Sequence, residues 1–530
     1  MPAPDELDDE PLEPASAPQD VVEPWSGERW LRRAVVAAIL VLAAAYAASS
    51  LMWRPVHDVP LAIYSAFSYA EHGTRPYADL FEISFPGTLL THLAIAAVFG
   101  YGNFGSMLAN LLCLVAIGAA TTWLLRPFGL TIGVGAAALF ALAFLLHGPE
   151  MMLQRDYFLL VPVVTAAALH CHGRMRPQVR RFLIGLAVGL AVAVKPHAGI
   201  ALLVLAGADF WSLLRARTGA AALLRAVAAY ALGLAIPCVA VFVWLVAADG
   251  FSAWREMSTR YLPLYLQMNR DHETVSGAAR WIDRLRHVRE LGGHWSWFAA
   301  AAVGAFHTAA STPPADPRAR VLRMLLALTV AFALYPAFAG QFWGYHYVPF
   351  LYFLCTLAGL CLLPCTNPSR LARLLPVTTL AFALLVHPNL VSSTKWLFRT
   401  QQVNDGQVDA MAAFLLERLQ PGDTVQPLDW TAGAVHAMLI ARARLATRFM
   451  YDYHFHHHVS EPFIQELRRR FLADFDAARP RFVIDWFGEN KPWPSGVDTD
   501  RAFPELESRL EVGYAVAANG ASWRILERRQ

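Results

Sequence analysis

Charged residues are scarce in this chain of 530 residues. Lys, Arg, Asp and Glu make up 16% of it, while 56% is hydrophobic and the mean hydropathy is +0.37. A soluble globular protein has roughly 25% charged and about 45–50% apolar residues, so this composition excludes an ordinary soluble protein. Neither sign of charge dominates, because the formal net charge is only +3. The charge balance therefore gives no support to a nucleic-acid partner.

Cysteine is also scarce, and its spacing excludes the usual cysteine-based sites. Each cysteine lies in or beside an apolar run, without the paired spacing of a metal site, which favours small buried apolar residues. The six positions are 113, 171, 238, 355, 361 and 365. No internal repeat is visible either. We therefore predict no metal and no cofactor, and we draw no redox compartment from the cysteines.

A cleavable signal is missing from the N-terminus. The first 28 residues are acidic and proline-rich, which is typical of a disordered tail, and no basic segment precedes an apolar core within them. Arg29, Arg32 and Arg33 then stand directly before the first long apolar run. By the positive-inside rule they predict a cytoplasmic N-terminus.

Long apolar runs are abundant, and they predict a polytopic α-helical membrane protein. Between Arg33 and the arginine-rich loop 174–181, which is also predicted to be cytoplasmic, there are five runs. Because an odd number of crossings cannot join two cytoplasmic points, one run must not span. The run 87–100 is the shortest, so we interpret it as an interfacial helix. Eleven spans remain, at 34–52, 105–125, 130–147, 157–171, 181–194, 198–213, 226–248, 294–310, 321–338, 347–363 and 375–391.

This topology places the loops 53–104 and 147–157 outside the cell, together with everything after residue 392. One loop conflicts with it: 249–293 carries seven arginines and is assigned outside. The positive-inside rule weakens for longer loops, and cations there would suit an anionic lipid head group. Beyond the membrane module 29–391, segments such as "TVQPLDW", "LATRFM", "RFVIDW" and "SWRILER" alternate with helical patterns. They predict an extracytoplasmic α/β domain over 392–530.

Polar residues gather on the side predicted to be external. The first external loop contains Asp58 and the stretch "RPYADLFEISFPG", the second contains Arg155 and Asp156, and two later spans end at Lys195 and at "QFWGYHY". Each of these residues has a structural explanation as well as a functional one. In the structural explanations, the acids solvate a loop, Asp156 forms a simple ion pair, Lys195 snorkels to the interface and the aromatic residues form an interfacial belt.

The order of these features resembles the GT-C superfamily of integral-membrane glycosyltransferases, which take a sugar from a polyprenyl-phosphate donor. The matching residues are His57-Asp58 after the first span, Gly73, Pro76, Tyr77 and Asp79, then Phe81, Glu82 and Pro86 opening a helix that ends at Phe99-Gly100, then Asp156 and Lys195-Pro196. A C-terminal external α/β domain is common in the bacterial branch, which includes the aminoarabinose-type and rhizobial-type lipopolysaccharide glycosyltransferases.

The resemblance implies an inverting transfer at the outer face of the bacterial inner membrane, from the lipid donor to a glycan, lipid or protein acceptor. It assigns the general base to Asp58, since a carboxylate can take the proton of an attacking hydroxyl. Cations offset charge on the leaving phosphate, and the candidates are Lys195, Arg155 and His346. The remaining substrate-binding candidates are Glu82, Asp79, Tyr77, Asp156 and Tyr345. The second loop reads Gln-Arg-Asp where oligosaccharyltransferases have Asp-x-Asp, so no metal is predicted.

Other interpretations stay open at this point. His454 and His458 have a metal-type spacing if their segment is helical, although the strand-like neighbours favour a surface or acceptor-facing loop. A transporter or lipid flippase is the alternative function, but it would carry ionisable groups near mid-membrane and often inverted repeats. A receptor with an external ligand-binding domain is a third possibility, but the sequence shows no cytoplasmic output domain.

Overall fold

The computed structural model describes residues 26–172, 175–365, 369–398, 405–431, 433–487, 491, 493 and 495–530. The predicted tail 1–28 therefore lies outside the described residues except for its last three, and Arg174 lies outside them as well. The membrane-associated part begins with the helices α1 Ser26–Ser50, α2 Asp58–His72, α3 Pro86–Phe99, α4 Asn103–Leu124, α5 Leu130–Leu145, α6 Arg155–Phe158, α7 Leu160–His172, α8 Pro177–Val194, α9 Ile200–Arg215 and α10 Ala220–Ala247. It continues with α11 Phe251–Glu256, α12 Leu262–Tyr265, β1 Glu273–Thr274, α13 Gly277–Glu290, α14 Ser296–Ala310, α15 Pro317–Ala339, α16 Val348–Gly359, α17 Arg370–Leu385, α18 Pro388–Ser392 and α19 Thr394–Phe398.

Each of the eleven predicted spans falls on helical residues, and the last of them, 375–391, extends over both α17 and α18. The polytopic helical fold is therefore confirmed. Within the described residues, seven helices are long and apolar enough to cross a membrane, or eight if the bent pair Arg370–Leu385 and Pro388–Phe398 counts as one span. The other predicted spans, such as α7 and α14, form shorter helices. The number of eleven crossings stays a prediction.

Two consecutive predicted spans each carry a charged residue, and the structure pairs these two residues. Arg181 of α8 donates to Asp209 of α9 with an Nε to Oδ2 distance of 2.7 Å, and both side chains are buried. A buried charge is tolerated when it is paired in this way. The pair joins two neighbouring helices.

The run 87–100 forms the separate helix α3, as predicted, and Pro86 opens it at a position that needs no backbone N–H. Gly87 allows α3 to approach the end of α8 closely, because a Cβ at this position would overlap the carbonyl of Ala193. The side chain of Thr88 extends this contact by donating to the carbonyl of Val194 at 3.3 Å. The first external loop is thereby held beside Lys195.

The C-terminal part forms the predicted α/β domain. Its elements are α20 Asp405–Arg418, β2 Thr424–Leu428, α21 Gly433–Ile440, β3 Arg444–Leu445, α22 Pro462–Ala478, β4 Phe482–Trp486, β5 Ser495–Gly496, α23 Pro504–Gly513, β6 Tyr514–Asn519 and β7 Trp523–Arg528. The five-stranded sheet has the order β3-β2-β4-β7-β6, in which β3, β2 and β4 are parallel while β7 is antiparallel to both β4 and β6. The predicted strand at 445–450 extends only over 444–445, and β6 and α23 were not predicted.

This domain packs on two loops of the membrane-associated part. Arg442 pairs with Glu71 at 2.8 Å, and β1 pairs in parallel with β5. Arg260 donates to Glu466 of α22 at 2.9 Å. The loop 249–293 therefore lies on the same side of the membrane as the domain and the first loop, and its arginines are partly accounted for by ion pairs with acids. The predicted boundary at 392 stays a prediction, because Trp396 of α19 still packs against α1 and its following loop.

The two sides of the membrane are directly testable. In a cysteine-free background, a cysteine at position 430 is expected to react with a membrane-impermeant thiol reagent added to intact spheroplasts. A cysteine at position 176 is expected to react only after lysis, because its loop carries several arginines and the N-terminus shares its side. Labelling of the 176 variant from outside, or protection of the 430 variant, would overturn this topology.

Candidate active site

A cavity of about 620 Å³ lies between the membrane helices and the C-terminal domain. This volume is within the range of about 300–1,000 Å³ that is typical of small-molecule sites. One part of its wall is ionic, and another is aromatic. The ionisable residues that line it are Arg54, His57, Asp58, Glu82, Glu150, Arg155, Tyr265, His272, Tyr345, Lys395, His436, Tyr451 and Tyr453.

Asp58 begins α2, where the helix N-terminus stabilises a carboxylate. Its side chain is 48% exposed, and its Oδ2 accepts from the Tyr345 hydroxyl at 3.0 Å and from Arg155 Nη2 at 3.5 Å. Among the described residues, no hydrogen bond reaches its Oδ1. The preceding residue, His57, has φ +56° and ψ −129°. Such a conformation costs about 1–3 kcal/mol and is concentrated at functional sites.

Glu82 and Arg155 meet at Ser84 on the wall of the cavity. Glu82 Oε1 accepts from the backbone N–H groups of Ile83 and Ser84, both at 2.9 Å. Arg155 Nη1 donates to Ser84 Oγ at 3.1 Å. The sequence placed Asp58 and Glu82 in the first external loop and Arg155 in the second, and the structure brings all three to one cavity.

A second ionic pair in the cavity was not predicted. His57 Nε2 lies 3.7 Å from Glu150 Oε1. The Glu150 carboxylate raises the pKa of His57, and His57 in turn lowers the pKa of Glu150. The pair favours an imidazolium beside a carboxylate, so His57 gains positive charge next to Asp58.

Lys195 and Asp156 form a buried pair that does not line this cavity. Lys195 Nζ donates to both carboxylate oxygens of Asp156, at 2.9 and 2.8 Å, and Tyr335 donates to Oδ1 at 2.7 Å. Asp156 is fully buried and Lys195 is 7% exposed. Burial opposes ionisation of Asp156, but Lys195, His346 and Tyr335 together outweigh burial, and the pKa of Asp156 is lowered overall. The snorkelling interpretation of Lys195 is therefore wrong.

Three other predicted site residues also lie away from the cavity. His346 is buried and its Nδ1 lies 2.8 Å from the carbonyl of Gln341. Tyr77 is buried and donates to the carbonyl of Ser84 at 2.5 Å. Asp79 forms an ion pair with Arg75 at 2.8 Å. Their roles as substrate contacts stay predictions, and the geometry places them around the site rather than in its wall.

Several cavity residues were missed because they come from segments without a motif. Lys395 lies in α19, His272 lies in the loop 249–293, and Trp430 follows β2. Tyr265, Tyr451 and Tyr453 add further rings to the wall. The clustering of aromatic and histidine residues at 451–458 was a usable signal, but nothing in the sequence linked that segment to Asp58.

The histidine segment does not form the suggested metal site. His454 Nδ1 lies 2.6 Å from the Tyr261 hydroxyl, and His458 Nε2 lies 3.0 Å from the carbonyl of Leu264. Only Tyr453–Phe455 is helical there, as a 3₁₀ turn. Within the described residues, no group of three or more His, Cys, Asp or Glu side chains is arranged to hold a metal ion. These histidines instead join the C-terminal domain to the loop 249–293.

Comparison with known proteins gives structural matches without sequence matches. No protein-family model and no curated protein matches the sequence. The crystal structure of ArnT from Cupriavidus metallidurans bound to undecaprenyl phosphate superposes with a TM-score of 0.57 at 16% identity, covering 95% of this chain and 98% of that one. The crystal structure of the same protein in the apo state superposes with a TM-score of 0.56 at 15% identity, covering 94% of this chain and 98% of that one.

A third structure is more distant. The apo oligosaccharyltransferase of Archaeoglobus fulgidus matches with a TM-score of 0.47 at 12% identity, covering 88% of this chain and 70% of that one. The ArnT matches extend over nearly the whole of both chains, so they include the helices as well as the C-terminal domain. This protein therefore has the fold seen in ArnT, in agreement with the fold that the sequence resemblance predicted.

Proposed function

We propose that this protein is an inverting membrane glycosyltransferase that moves a sugar from a polyprenyl-phosphate donor to an extracytoplasmic acceptor. The observation that carries the proposal is the position of Asp58. It is a half-exposed carboxylate, held by Tyr345 and Arg155, in a cavity between membrane helices and the C-terminal domain. Such a transfer requires a base in a cavity that a membrane lipid can reach, and we assign this role to Asp58.

The cations of the cavity supply a place for the donor phosphate. Arg54 is engaged by Asp409 in two hydrogen bonds of 2.8 and 3.1 Å. Lys395 is exposed and its Nζ lies 4.7 Å from the ring centroid of Trp396. We assign the lipid phosphate to Lys395 and Arg155, because both reach the cavity and an ammonium and a guanidinium stabilise phosphate oxygens.

The chemical step follows from this arrangement. The acceptor hydroxyl attacks the anomeric carbon of the donor sugar, its proton passes to the Asp58 carboxylate, and the bond to the phosphate oxygen breaks. The lipid phosphate leaves with that electron pair, and the two cations offset its growing charge. Attack opposite to the leaving group inverts the anomeric centre. Tyr345 keeps the Asp58 carboxylate oriented through its hydroxyl.

The acceptor is a glycan, lipid or protein at the outer face of the bacterial inner membrane. The transporter alternative has little support, because the ion pair within the predicted spans, Arg181 and Asp209, is buried and engaged by protein groups that include Tyr230. The ionic groups that remain half-exposed lie in the cavity instead.

Lipid binding tests the donor part of the proposal. Purified protein in nanodiscs is expected to bind undecaprenyl phosphate in native mass spectrometry. Lys395→Met is expected to weaken that binding by about tenfold or more, because a hydrogen bond to a charged group is lost. Arg442→Met, which removes an exposed cation outside the cavity, is the matched control.

A second experiment, on cells, tests the reaction. Mass spectrometry of surface glycans and lipids from cells with and without the protein is expected to show one sugar whose presence depends on the protein. Absence of both lipid binding and a protein-dependent sugar would overturn the proposed function.

A further inference from the structure

Three aromatic rings form one wall of the cavity, and we call Trp343, His272 and Trp430 the aromatic platform. The His272 ring lies between the two indoles, with centroid distances of 5.1 Å to Trp343 and 5.9 Å to Trp430. All three side chains are half-buried and line the same cavity as Asp58. Tyr453, which lines the same cavity, contacts two of these rings, with centroid distances of 4.4 Å to Trp430 and 5.4 Å to His272.

Both indole N–H groups and one of the two imidazole nitrogens of these rings are already engaged by the protein. Trp430 Nε1 donates to Asp452 Oδ1 at 2.6 Å, and Trp343 Nε1 donates to Gln341 Oε1 at 3.3 Å. His272 Nδ1 lies 3.0 Å from the Tyr453 hydroxyl. The platform therefore offers a ligand mainly ring faces rather than hydrogen-bonding edges. Ring faces bind C–H groups and apolar surface.

The platform is assembled from three separate segments of the chain. Trp343 precedes α16, His272 directly precedes β1, and Trp430 lies two residues after the carboxyl end of β2. The carboxyl ends of parallel strands are where ligands bind in open α/β sheets. The pairing of β1 with β5 and the buried Asp452–Lys491 ion pair, at 2.6 Å, hold the rings in place. A binding surface is expected to be supported rigidly in this way.

We infer that the aromatic platform binds a sugar ring of the acceptor, so that the acceptor is a carbohydrate or the carbohydrate part of a glycolipid. A pyranose has C–H groups on its faces and hydroxyls around its edge. It stacks on an aromatic face while its edge remains free to reach Asp58. This inference rests on the proposed function and specifies the chemical class of its second substrate.

The location of the platform favours the acceptor over the lipid donor. Trp430 belongs to the C-terminal domain, and the candidate membrane spans within the described residues all precede that domain. A polyprenyl donor reaches the cavity from the helices, where Arg155 and Lys395 lie. Because Trp430 extends the platform onto the C-terminal domain, we assign the platform to the other substrate.

Binding measurements separate this inference from catalysis. Wild-type protein in nanodiscs is applied to an array of defined mono- and disaccharides, and undecaprenyl phosphate binding is measured in parallel. Wild type is expected to retain at least one sugar. Trp430→Leu and Trp343→Leu are each expected to weaken that binding by about 2- to 12-fold, the range set by one aromatic contact. Trp430→Phe keeps a ring and is expected to retain most of the binding.

The controls give each outcome a meaning. Trp281→Leu changes an exposed tryptophan outside the cavity and is expected to bind as wild type does, and thermal unfolding checks that every variant is folded. If folded Trp→Leu variants bind sugar normally, or if no sugar binds while undecaprenyl phosphate does, the platform is not an acceptor site. If they lose undecaprenyl phosphate instead, the platform holds the donor. If wild type binds no undecaprenyl phosphate, the proposed function itself fails.

Discussion

Replacing Asp58 with asparagine is expected to lower the rate of sugar transfer by about 10² to 10⁴-fold, the usual contribution of a general base. The amide keeps the shape and can still accept from Tyr345, but it takes up no proton from the acceptor. Expression, thermal stability and binding of undecaprenyl phosphate should persist, because the side chain is half-exposed. Initial rates with purified protein, donor lipid and acceptor measure the effect.

Two neighbouring acids provide matched controls for Asp58→Asn. Asp79→Asn removes a carboxylate from the same loop that pairs with Arg75 away from the cavity, and it is expected to cost far less. Glu82→Gln removes a cavity carboxylate whose Oε1 is bound by two backbone N–H groups, so it should also cost less. Near-normal turnover of Asp58→Asn together with collapse of Glu82→Gln would move the base to Glu82 and leave the reaction class standing.

Replacing Lys195 with alanine is expected to destabilise the protein by about 3–5 kcal/mol, because it leaves the Asp156 carboxylate buried without its cation. From the sequence alone, Lys195 was a candidate cation for the leaving phosphate at the outer end of its span. The structure shows the pair closed in by Tyr335, with Asp156 fully buried. Thermal unfolding and the yield of monodisperse protein measure the loss.

A double variant distinguishes an ion-pair effect from general damage. Asp156→Asn combined with Lys195→Met removes both charges and is expected to recover much of the stability lost in Lys195→Ala. Lys395→Met removes an exposed lysine and should change stability by no more than about 0.5 kcal/mol. A stable, inactive Lys195→Ala variant with impaired donor binding would show that Lys195 contacts the lipid phosphate after all.

The candidate site was only partly predictable from the sequence. Asp58, Glu82, Arg155 and Tyr345 were selected from the motifs and their predicted side of the membrane, and all four line one cavity. Lys195 and Asp156 were also selected, but the structure pairs them with each other, and neither lines that cavity. Sequence position reports which end of a span a residue occupies. It does not report whether the side chain turns toward a cavity or toward a buried partner, because that depends on the packing of neighbouring helices.

The sequence by itself determined the fold class, since apolar runs and strand periodicity are local properties that follow from the need to bury hydrocarbon and satisfy backbone polar groups. Tertiary structure alone decided which side chains share the cavity. Trp430, His272 and Lys395 reach the cavity of Asp58 from segments far apart in the chain, and the arginines of 249–293 share a side with the C-terminal domain through ion pairs such as Arg260–Glu466. These are long-range contacts, and they form only when whole elements pack, so no local pattern of residues encodes them.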